Sequence, residues 1–402
     1  MAEKTIIKGG NVWDGIKNKT IPEGAVLIGN GFILGVGPAS EILTASDAAV
    51  FDWPQATILP GLIDSHTHLS MDGSLENYLD RMTDSVPVLT LRATAMMQRD
   101  LSAGITTCRC LGDREFLDVA CREAVERGDV SGPSLRVATR GIRAPQGHGF
   151  VGYPFRGKEE IQKAIHENIE RGADFIKIYI TGTLKGKGTL PAYLSREEIK
   201  LAIEGSHAKG VRIASHCVGG PGLDWALELG LDTLEHAYQI TTEQVERLEK
   251  SKTSLVLTPG AVLSDARIRR LPESLIQGHI DEREQMFNSM ALAVKAGVSF
   301  AVGTDGMHGD LATDIAYLSE LGASNLDALK AATIHGAITC GLDNEIGSLQ
   351  RGKRADIIAV DGNPLENLDC LKRVVAVIRR GKMIQVDPDR NVKPENYGYG
   401  PE

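Results

Sequence analysis

The stretch from Ile58 to Leu69 reads Ile-Leu-Pro-Gly-Leu-Ile-Asp-Ser-His-Thr-His-Leu, an apolar run that ends in two histidines set one residue apart. Side chains at positions i and i+2 of a β-strand point to the same face. If residues 58–68 form a strand, His66 and His68 therefore aim at one point. Taken alone, the pair also fits a half-buried strand that happens to end in two histidines.

The chain has 402 residues, of which 42% are hydrophobic, enough for one large domain and a smaller one. Its 44 basic and 53 acidic residues give a net charge of −9 without a Lys/Arg-rich run, which argues against a nucleic acid partner and favours a small-molecule substrate. The N-terminus lacks a secretory signal pattern, no apolar run approaches the ~20 residues of a membrane span, and the scattered cysteines form no CxxC pair. We expect a cytoplasmic protein with no membrane partner.

The two ends of the chain share one pattern. Residues 4–57 and 346–386 alternate short β-branched runs with glycine turns, which is typical of antiparallel strands joined by hairpins. Neither segment is long enough to bury both faces of its own sheet. The sequence therefore predicts that segments 1–57 and 346–402 pair into one small β-sandwich.

Between these segments, strand and helix patterns alternate. The candidate strands are 58–68, 105–111, 134–141, 175–181, 212–218, 233–238, 254–259 and 298–305. Helical spacing follows them, for example at 74–103, 114–127, 158–171, 194–209, 241–251 and 275–297. Eight such units predict an α/β protein whose catalytic domain, residues 58–345, is a (β/α)8 TIM barrel with its active site at the carboxyl ends of the strands.

Six ligand-type side chains lie near the carboxyl ends of predicted strands: His66, His68, Lys177, His216, His236 and Asp305. Each has an ordinary explanation alone, since a strand lysine can pair with an acid, a core histidine can bond backbone, and an aspartate can cap the next helix. Together, a buried lysine and four histidines in one low-dielectric mouth would cost several kcal/mol unless metal or hydrogen bonds compensated.

Histidine nitrogen and carboxylate oxygen are the usual ligands of catalytic zinc, which keeps one position open for water. Six side chains exceed the needs of one tetrahedral ion, so two divalent metal ions are the natural count. A protonated lysine cannot ligate, but the carbamate that Lys177 would form with carbon dioxide could bridge two ions. Two ions sharing one water would lower its pKa toward ~7, and Asp305 is placed to pass the proton to a leaving nitrogen.

The same residues carry a resemblance to the amidohydrolase superfamily, in its binuclear metal branch. The matching motifs are Asp64-Ser65-His66-Thr67-His68, Lys177, His216, His236 and Gly303-Thr304-Asp305. The segment 346–356 is similar to that superfamily's return from barrel to sandwich. The resemblance implies two metal ions, expected to be zinc, and a homo-oligomer.

Roles for the six side chains also follow from the resemblance. His66 and His68 match the residues that bind the more buried metal together with the aspartate that matches Asp305. His216 and His236 match the ligands of the second metal, and Lys177 matches a carboxylated lysine that bridges the pair.

Within the superfamily, the chain is most similar to the prolidase-like group of Xaa-Pro dipeptidases and metal-dependent carboxypeptidases. The segment Gly147-His148-Gly149 resembles a Gly-His-Gly loop of that group, and Tyr238 resembles its substrate-contacting tyrosine. Both would donate hydrogen bonds to the substrate oxygen as negative charge develops there. The alternatives are a water-exposed loop histidine for His148 and core packing for Tyr238.

Four cations lie on the loops after strands 3 and 4: Arg143, Arg156, Lys185 and Lys187. Any of them could bind a substrate carboxylate, because arginine and lysine form charge-assisted hydrogen bonds with that group. Solvated surface charges are the equal alternative.

These observations predict a hydrolase that cleaves an amide C–N bond with a metal-bridging hydroxide, in a dipeptide or an N-acyl amino acid. The alternative keeps the site but takes an N-aryl amide, carbamate or urea xenobiotic, or with less support a lactone or phosphoester, because one activated hydroxide attacks all these groups. A second alternative is a non-catalytic barrel module. Such a protein would be expected to lose ligands, and here all six are present.

Overall fold

A computed structural model of the chain describes residues 4–42, 48–149, 151–186 and 190–384. Parts of the predicted end segments 1–57 and 346–402, and Lys187, lie outside these ranges. The division into 1–57, 58–345 and 346–402 stays a prediction.

Eight strands make up the barrel. In chain order, and called barrel strands 1 to 8 below, they are Leu62–Thr67, Ile105–Cys110, Ser134–Val137, Phe175–Tyr179, Arg212–Gly219, Thr233–Gln239, Ser254–Leu257 and Phe300–Val302. Strands 1 to 3 pair in parallel in one sheet and strands 4 to 8 in another, which also holds the short strands Ile142–Arg143 and Tyr153–Pro154.

Backbone hydrogen bonds join the two barrel sheets at both seams. The Asp305 N–H donates to the His66 carbonyl at 2.8 Å, which links strand 8 to strand 1. The Asp174 N–H donates to the Val137 carbonyl at 2.8 Å, which links strand 4 to strand 3. The predicted (β/α)8 barrel is confirmed.

Helices connect the strands and cover the barrel. They are Ala39–Ile42, Val86–Ser102, Leu117–Arg127, Gly157–Glu170, Arg196–His207, Gly220–Leu229, Thr242–Lys250, Gly260–Leu263, Asp265–Ile268, Glu273–Lys295, Leu311–Glu320, Asn325–Ala331 and Ile334–Cys340, with 3-10 turns at Asp80–Thr83 and Leu368–Lys372. Among the described residues, no helix is both long and apolar enough to cross a membrane.

The helix predicted over 74–103 begins only at Val86. Pro87 stands in its first turn, where the missing N–H of proline costs no helical hydrogen bond. The residues before it form an irregular segment with one 3-10 turn, Asp80–Thr83. This segment follows barrel strand 1, so it lies on the carboxyl face of the barrel.

The strand predicted over 58–68 is wrong as a single element. Ala49–Pro60 belongs to the sheet of the chain ends, and only Leu62–Thr67 belongs to the barrel. Gly61 separates them at a close contact, since a Cβ on it would lie 2.2 Å from the Thr106 hydroxyl oxygen. The apolar run is buried throughout, as expected, but it serves two sheets.

Both ends of the chain contribute to one eight-stranded sheet, called the end sheet below. Its strands are Lys4–Val12, Ile21–Pro22, Gly24–Gly29, Phe32–Pro38, Ala49–Pro60, Ile357–Asp361, Val374–Arg379 and Lys382–Ile384. The strand Ala49–Pro60 pairs in parallel with Lys4–Val12 and antiparallel with Ile357–Asp361.

The end sheet folds over its own apolar core, which gathers residues from both chain ends. The Ala355 N–H donates to the Gly31 carbonyl at 2.8 Å. This bond joins the hairpin of strands Gly24–Gly29 and Phe32–Pro38 to the C-terminal part of the sheet. The small β-sandwich predicted from the two ends is confirmed.

Candidate metal centre at the mouth of the barrel

The centre is built where strand 8 meets strand 1. The Nε2 atoms of His66 and His68 each lie 3.5 Å from the Asp305 Oδ1 atom. Ligand atoms of these three residues all lie within 4.8 Å of one another, a grouping that could hold a metal ion. Gly303 allows strand 8 to lie close to strand 1, since a Cβ on it would lie 2.4 Å from the His66 backbone nitrogen.

Strand 6 departs from regular alternation at the centre. Glu235 and His236 are adjacent, so a regular strand would send their side chains to opposite faces. His236 instead has a φ of 81° and Ala237 a φ of 53°. As a result the Glu235 Oε2 atom lies 2.8 Å from the His66 Nδ1 atom, while the His236 ring centroid lies 4.5 Å from that of His66. A positive φ at a residue other than glycine costs about 1–3 kcal/mol per residue and is typical of functional sites.

The remaining ligand candidates lie beside these residues. The His216 ring centroid is 4.5 Å from that of His236. Lys177 is fully buried on strand 4, and its Nζ atom lies 5.0 Å from the centroid of the Tyr179 ring. The structure therefore brings all six predicted side chains to one end of the barrel.

Three ligand atoms of the centre are buried without a hydrogen-bond partner among the described residues: Lys177 Nζ, His66 Nε2 and His216 Nε2. Unpartnered buried polar atoms are rare, because losing water without a replacement bond is costly. Nitrogen atoms left open in this way, beside an aspartate, fit the donor set of a metal site.

Protonation also fits metal binding. Burial lowers the pKa of His66, His216 and His236 well below the usual range, and neighbouring positive charges lower it further, so these imidazoles are neutral near pH 7. Burial lowers the pKa of Lys177 to about 8, against the opposing charges of Glu235 and Asp305. Neutral imidazole is the form that ligates, and a neutral amine is the form that reacts with carbon dioxide.

Hydrogen bonds at Nδ1 orient three of the imidazoles. The bonds are His66 to Glu235 at 2.8 Å, His68 to the Gly112 carbonyl at 2.7 Å, and His236 to the Thr258 hydroxyl at 2.7 Å. Since one ring nitrogen is occupied, the other is left to face the centre. Metal-bound histidines usually carry such a bond on their second nitrogen.

A cavity of ≈ 540 Å³ opens onto the centre, and all eight predicted site residues line it. His148 is half-buried rather than water-exposed, with its ring centroid 4.3 Å from that of His216. Burial lowers the pKa of His148 to about 4. The Tyr238 hydroxyl is buried at the cavity wall and donates to the Thr258 carbonyl at 3.1 Å.

Of the four loop cations, the three that the structure describes do not line the cavity. Arg143 donates instead to the carbonyls of its own loop, at Ala144, Pro145, Gly147 and Gly152, with distances from 3.1 to 3.4 Å. It therefore holds the loop that carries His148. Arg156 and Lys185 are not among the residues that line the cavity, and Lys187 lies outside the described residues.

Arg267 is a site residue that sequence reasoning missed. It is buried and donates to the Thr304 carbonyl at 2.9 Å, the Asp305 carbonyl at 2.6 Å and the Asp305 Oδ2 atom at 3.3 Å. It also donates to the Tyr78 hydroxyl at 3.2 Å. Its place in the loop after strand 7 was the only sequence signal, because its partners lie on the loops after strands 1 and 8.

Glu235 also escaped notice as a site residue. Besides His66, it binds Arg109, whose guanidinium lies 3.0 Å from Glu235 Oε1 inside the barrel. The Thr233 hydroxyl donates to the same carboxylate at 2.8 Å. The signal in the sequence was an acidic residue inside a predicted barrel strand. The sequence does not reveal the partners of Glu235 on strands 1 and 2.

Two further histidines border the centre. His308 binds Asp100 through Nδ1 at 2.7 Å and the His68 carbonyl through Nε2 at 3.1 Å. His279 lies on the helix Glu273–Lys295, and its Nδ1 atom lies 3.0 Å from the Leu275 carbonyl oxygen. It also lines the cavity.

Comparisons with known proteins agree with this geometry. The model of the amidohydrolase family matches residues 57–384. An ochratoxinase of Aspergillus niger is 27% identical over 370 residues, covering 82% of this chain and 75% of that protein. An imidazolonepropionase of Alkaliphilus metalliredigens is 25% identical and covers 97% of this chain and 93% of that protein.

A solved structure shares the fold. The crystal structure of a Xaa-Pro dipeptidase with methionine bound in its active site superposes with a TM-score of 0.85. The match covers 95% of this chain and 100% of that one, at 24% sequence identity.

Proposed function

The chain belongs to the amidohydrolase family, and from this premise we propose that it hydrolyses the amide bond of a dipeptide or an N-acyl amino acid with two divalent metal ions. The family and its hydrolase relatives make the chain an enzyme of C–N bond hydrolysis. We therefore set the non-catalytic barrel module aside.

The observation that carries the proposal is the set of buried, unpartnered ligand atoms at the mouth of the cavity. His66, His68 and Asp305 would hold one ion, and His216 and His236 the other. Lys177, once carboxylated, would bridge them. Zinc is the expected metal, since the donor set is nitrogen and carboxylate oxygen.

The metal pair, when bound, supplies an activated water and polarises the amide carbonyl. With the ions bound, Asp305 would accept a proton from the attacking water and pass it to the leaving nitrogen. Arg267 holds Asp305 in place through both its carbonyl and its carboxylate. His148, neutral near pH 7, donates a hydrogen bond to the carbonyl oxygen as negative charge develops, and Tyr238 would donate a second one once its hydroxyl turns away from the Thr258 carbonyl.

Two features support an amino-acid derivative as substrate. The cavity, ≈ 540 Å³, has the size of pockets that enclose small molecules. The Gly147-His148-Gly149 loop and Tyr238, which resemble the prolidase-like group in sequence, both line it. The second candidate is an N-aryl amide, carbamate or urea, which the apolar side chains lining part of the same cavity favour.

Metal analysis is the first test. Protein purified without chelators, in the presence of bicarbonate, should carry two metal equivalents per chain. About one equivalent would contradict a bridged pair. The homo-oligomeric state and the cytoplasmic location stay predictions from the sequence.

Substrate panels are the second test. Steady-state rates on dipeptides and N-acyl amino acids should exceed those on aryl carbamates and ureas. Turnover of the aryl compounds without turnover of any amino-acid derivative would replace the first candidate with the second.

A further inference from the structure

Part of the cavity surface is formed by a separate apolar cluster, which we call the apolar wall. Its residues are Met71, Tyr78, Met82, Val151 and Leu271, each no more than 6% exposed. They belong to a buried cluster distinct from the main core of the barrel. They come from the segments that follow barrel strands 1, 3 and 7.

The apolar wall reaches the ligand side chains through Tyr179, which belongs to the same cluster. The Tyr179 ring centroid lies 5.9 Å from that of His216, and Lys177 Nζ lies 5.0 Å from it. A substrate bond held at the centre therefore has apolar surface beside it.

Charged groups in the cavity are few and mostly engaged. Among the described lining residues, the lysine and arginine are Lys177 and Arg267, both part of the centre. The acids are Asp305 and the exposed Asp80. Among the residues that the structure describes, the cavity thus offers no unassigned lysine or arginine for an acidic side chain.

We propose that the apolar wall binds a large apolar side chain of the amide substrate, either aromatic or branched aliphatic, next to the bond that is cleaved. This inference rests on the proposed function for the identity of that bond. Burial of one such side chain should raise kcat/KM by roughly 10- to 100-fold over glycine at the same position.

The first experiment varies each side of the bond separately. Dipeptides and N-acetyl amino acids carry Gly, Leu, Phe, Asp or Lys at one position while the other is fixed. We expect Leu and Phe to exceed Gly, Asp and Lys at one of the two positions by 10- to 100-fold in kcat/KM. Equal or faster turnover of Gly, Asp or Lys at both positions would overturn the inference and leave the proposed function standing.

A binding measurement separates this inference from the proposed function. Calorimetry on the metal-loaded enzyme compares phenylalanine with aspartate, which carry no amide bond to cleave, and tighter binding of the former supports the apolar wall even if no amide is hydrolysed. Equal or weaker binding of phenylalanine overturns the inference.

Two methionines provide a matched pair of variants. Met82 is 1% exposed in the apolar wall, whereas Met97 is 0% exposed in the main core and does not line the cavity. Met82→Ala should lower the Phe-to-Gly ratio of kcat/KM by about tenfold. Met97→Ala should lower Tm about as much as Met82→Ala does, but it should leave that ratio unchanged.

Equal changes of the ratio in both variants would overturn the inference. If Met82→Ala does not fold, Leu271→Ala tests the same wall from another segment. An unchanged ratio in a folded Leu271→Ala enzyme then counts against the proposal.

Discussion

Arg109 and Lys177 are both buried cations on strands of this barrel, and their contacts differ completely. Arg109, 3% exposed, donates to Glu235 at 3.0 Å, to the Thr233 hydroxyl at 2.7 Å and to the Ser65 carbonyl at 3.2 Å. Lys177, 0% exposed, has no hydrogen-bond partner for Nζ among the described residues.

The difference separates structure from chemistry. A buried cation with a full set of partners is a stable part of the barrel, and it is costly to break. A buried amine without partners is costly to keep unless a ligand or a reaction uses it. Burial is the same for both residues, so the unsatisfied atom is the better sign of function.

The replacement Lys177→Ala tests the unpaired side of this comparison and should have the largest effect. Turnover should fall by more than about 10⁴-fold, because loss of the bridge removes metal as well as the general-base transfer that depends on it. Metal content and kcat measure this. Short carboxylic acids in the medium should partly restore both, and a fully active, metal-replete variant would contradict the role of Lys177.

The replacement Asp305→Asn separates the general-base role of Asp305 from the bridging role of Lys177. The variant should keep much of its metal, while kcat falls by roughly 10²–10⁴-fold, the usual worth of general acid–base transfer. Elemental analysis and steady-state kinetics on one preparation distinguish the two. Near wild-type turnover would rule out Asp305 as the base.

The replacement Glu235→Gln tests the paired side of the comparison, since Glu235 binds Arg109 and also orients the candidate ligand His66. Leaving Arg109 buried without its counter-charge should cost about 3–5 kcal/mol of unfolding free energy. Metal affinity should fall by roughly 10–100-fold, as for other contacts one step from a metal. Urea denaturation and chelator competition measure these effects, and wild-type values in both would remove the contrast between the two cations.

A third buried cation, Arg267, sharpens the comparison, because it is fully partnered yet lies at the centre. Arg267→Lys should lower kcat by about tenfold with little change in KM, because a small misplacement of Asp305 affects the reaction more than binding. Steady-state kinetics check this. A tenfold rise of KM with unchanged kcat would assign Arg267 to substrate binding instead.

Much of the centre could be predicted from the sequence because its ligands lie at strand ends. The alternation of strand and helix patterns predicted the barrel, and a barrel gathers the residues near the carboxyl ends of its strands at one face. His66, His68, Lys177, His216, His236 and Asp305 all line the cavity for this reason.

Contacts between distant residues could not be predicted in this way. The bond between His66 and Glu235 joins residues 169 positions apart, and strand periodicity does not state which side chains meet across a barrel. The φ of 81° at His236 likewise breaks the alternation on which strand reasoning rests. The boundary at Pro60 between the end sheet and the barrel was not predicted, because one apolar run of the sequence spans parts of two strands, Ala49–Pro60 and Leu62–Thr67.

The passage at Gly61 bears on the order of folding. The strand Ala49–Pro60 runs into barrel strand 1 after one residue, and it pairs with Ile357–Asp361, about 300 positions later in the chain. Contacts of such sequence separation form slowly. During synthesis, the C-terminal partner of Ala49–Pro60 is made after all eight barrel strands. We expect the end sheet to be completed last, when the C-terminal strands leave the ribosome and after the strands that carry the ligands have been made.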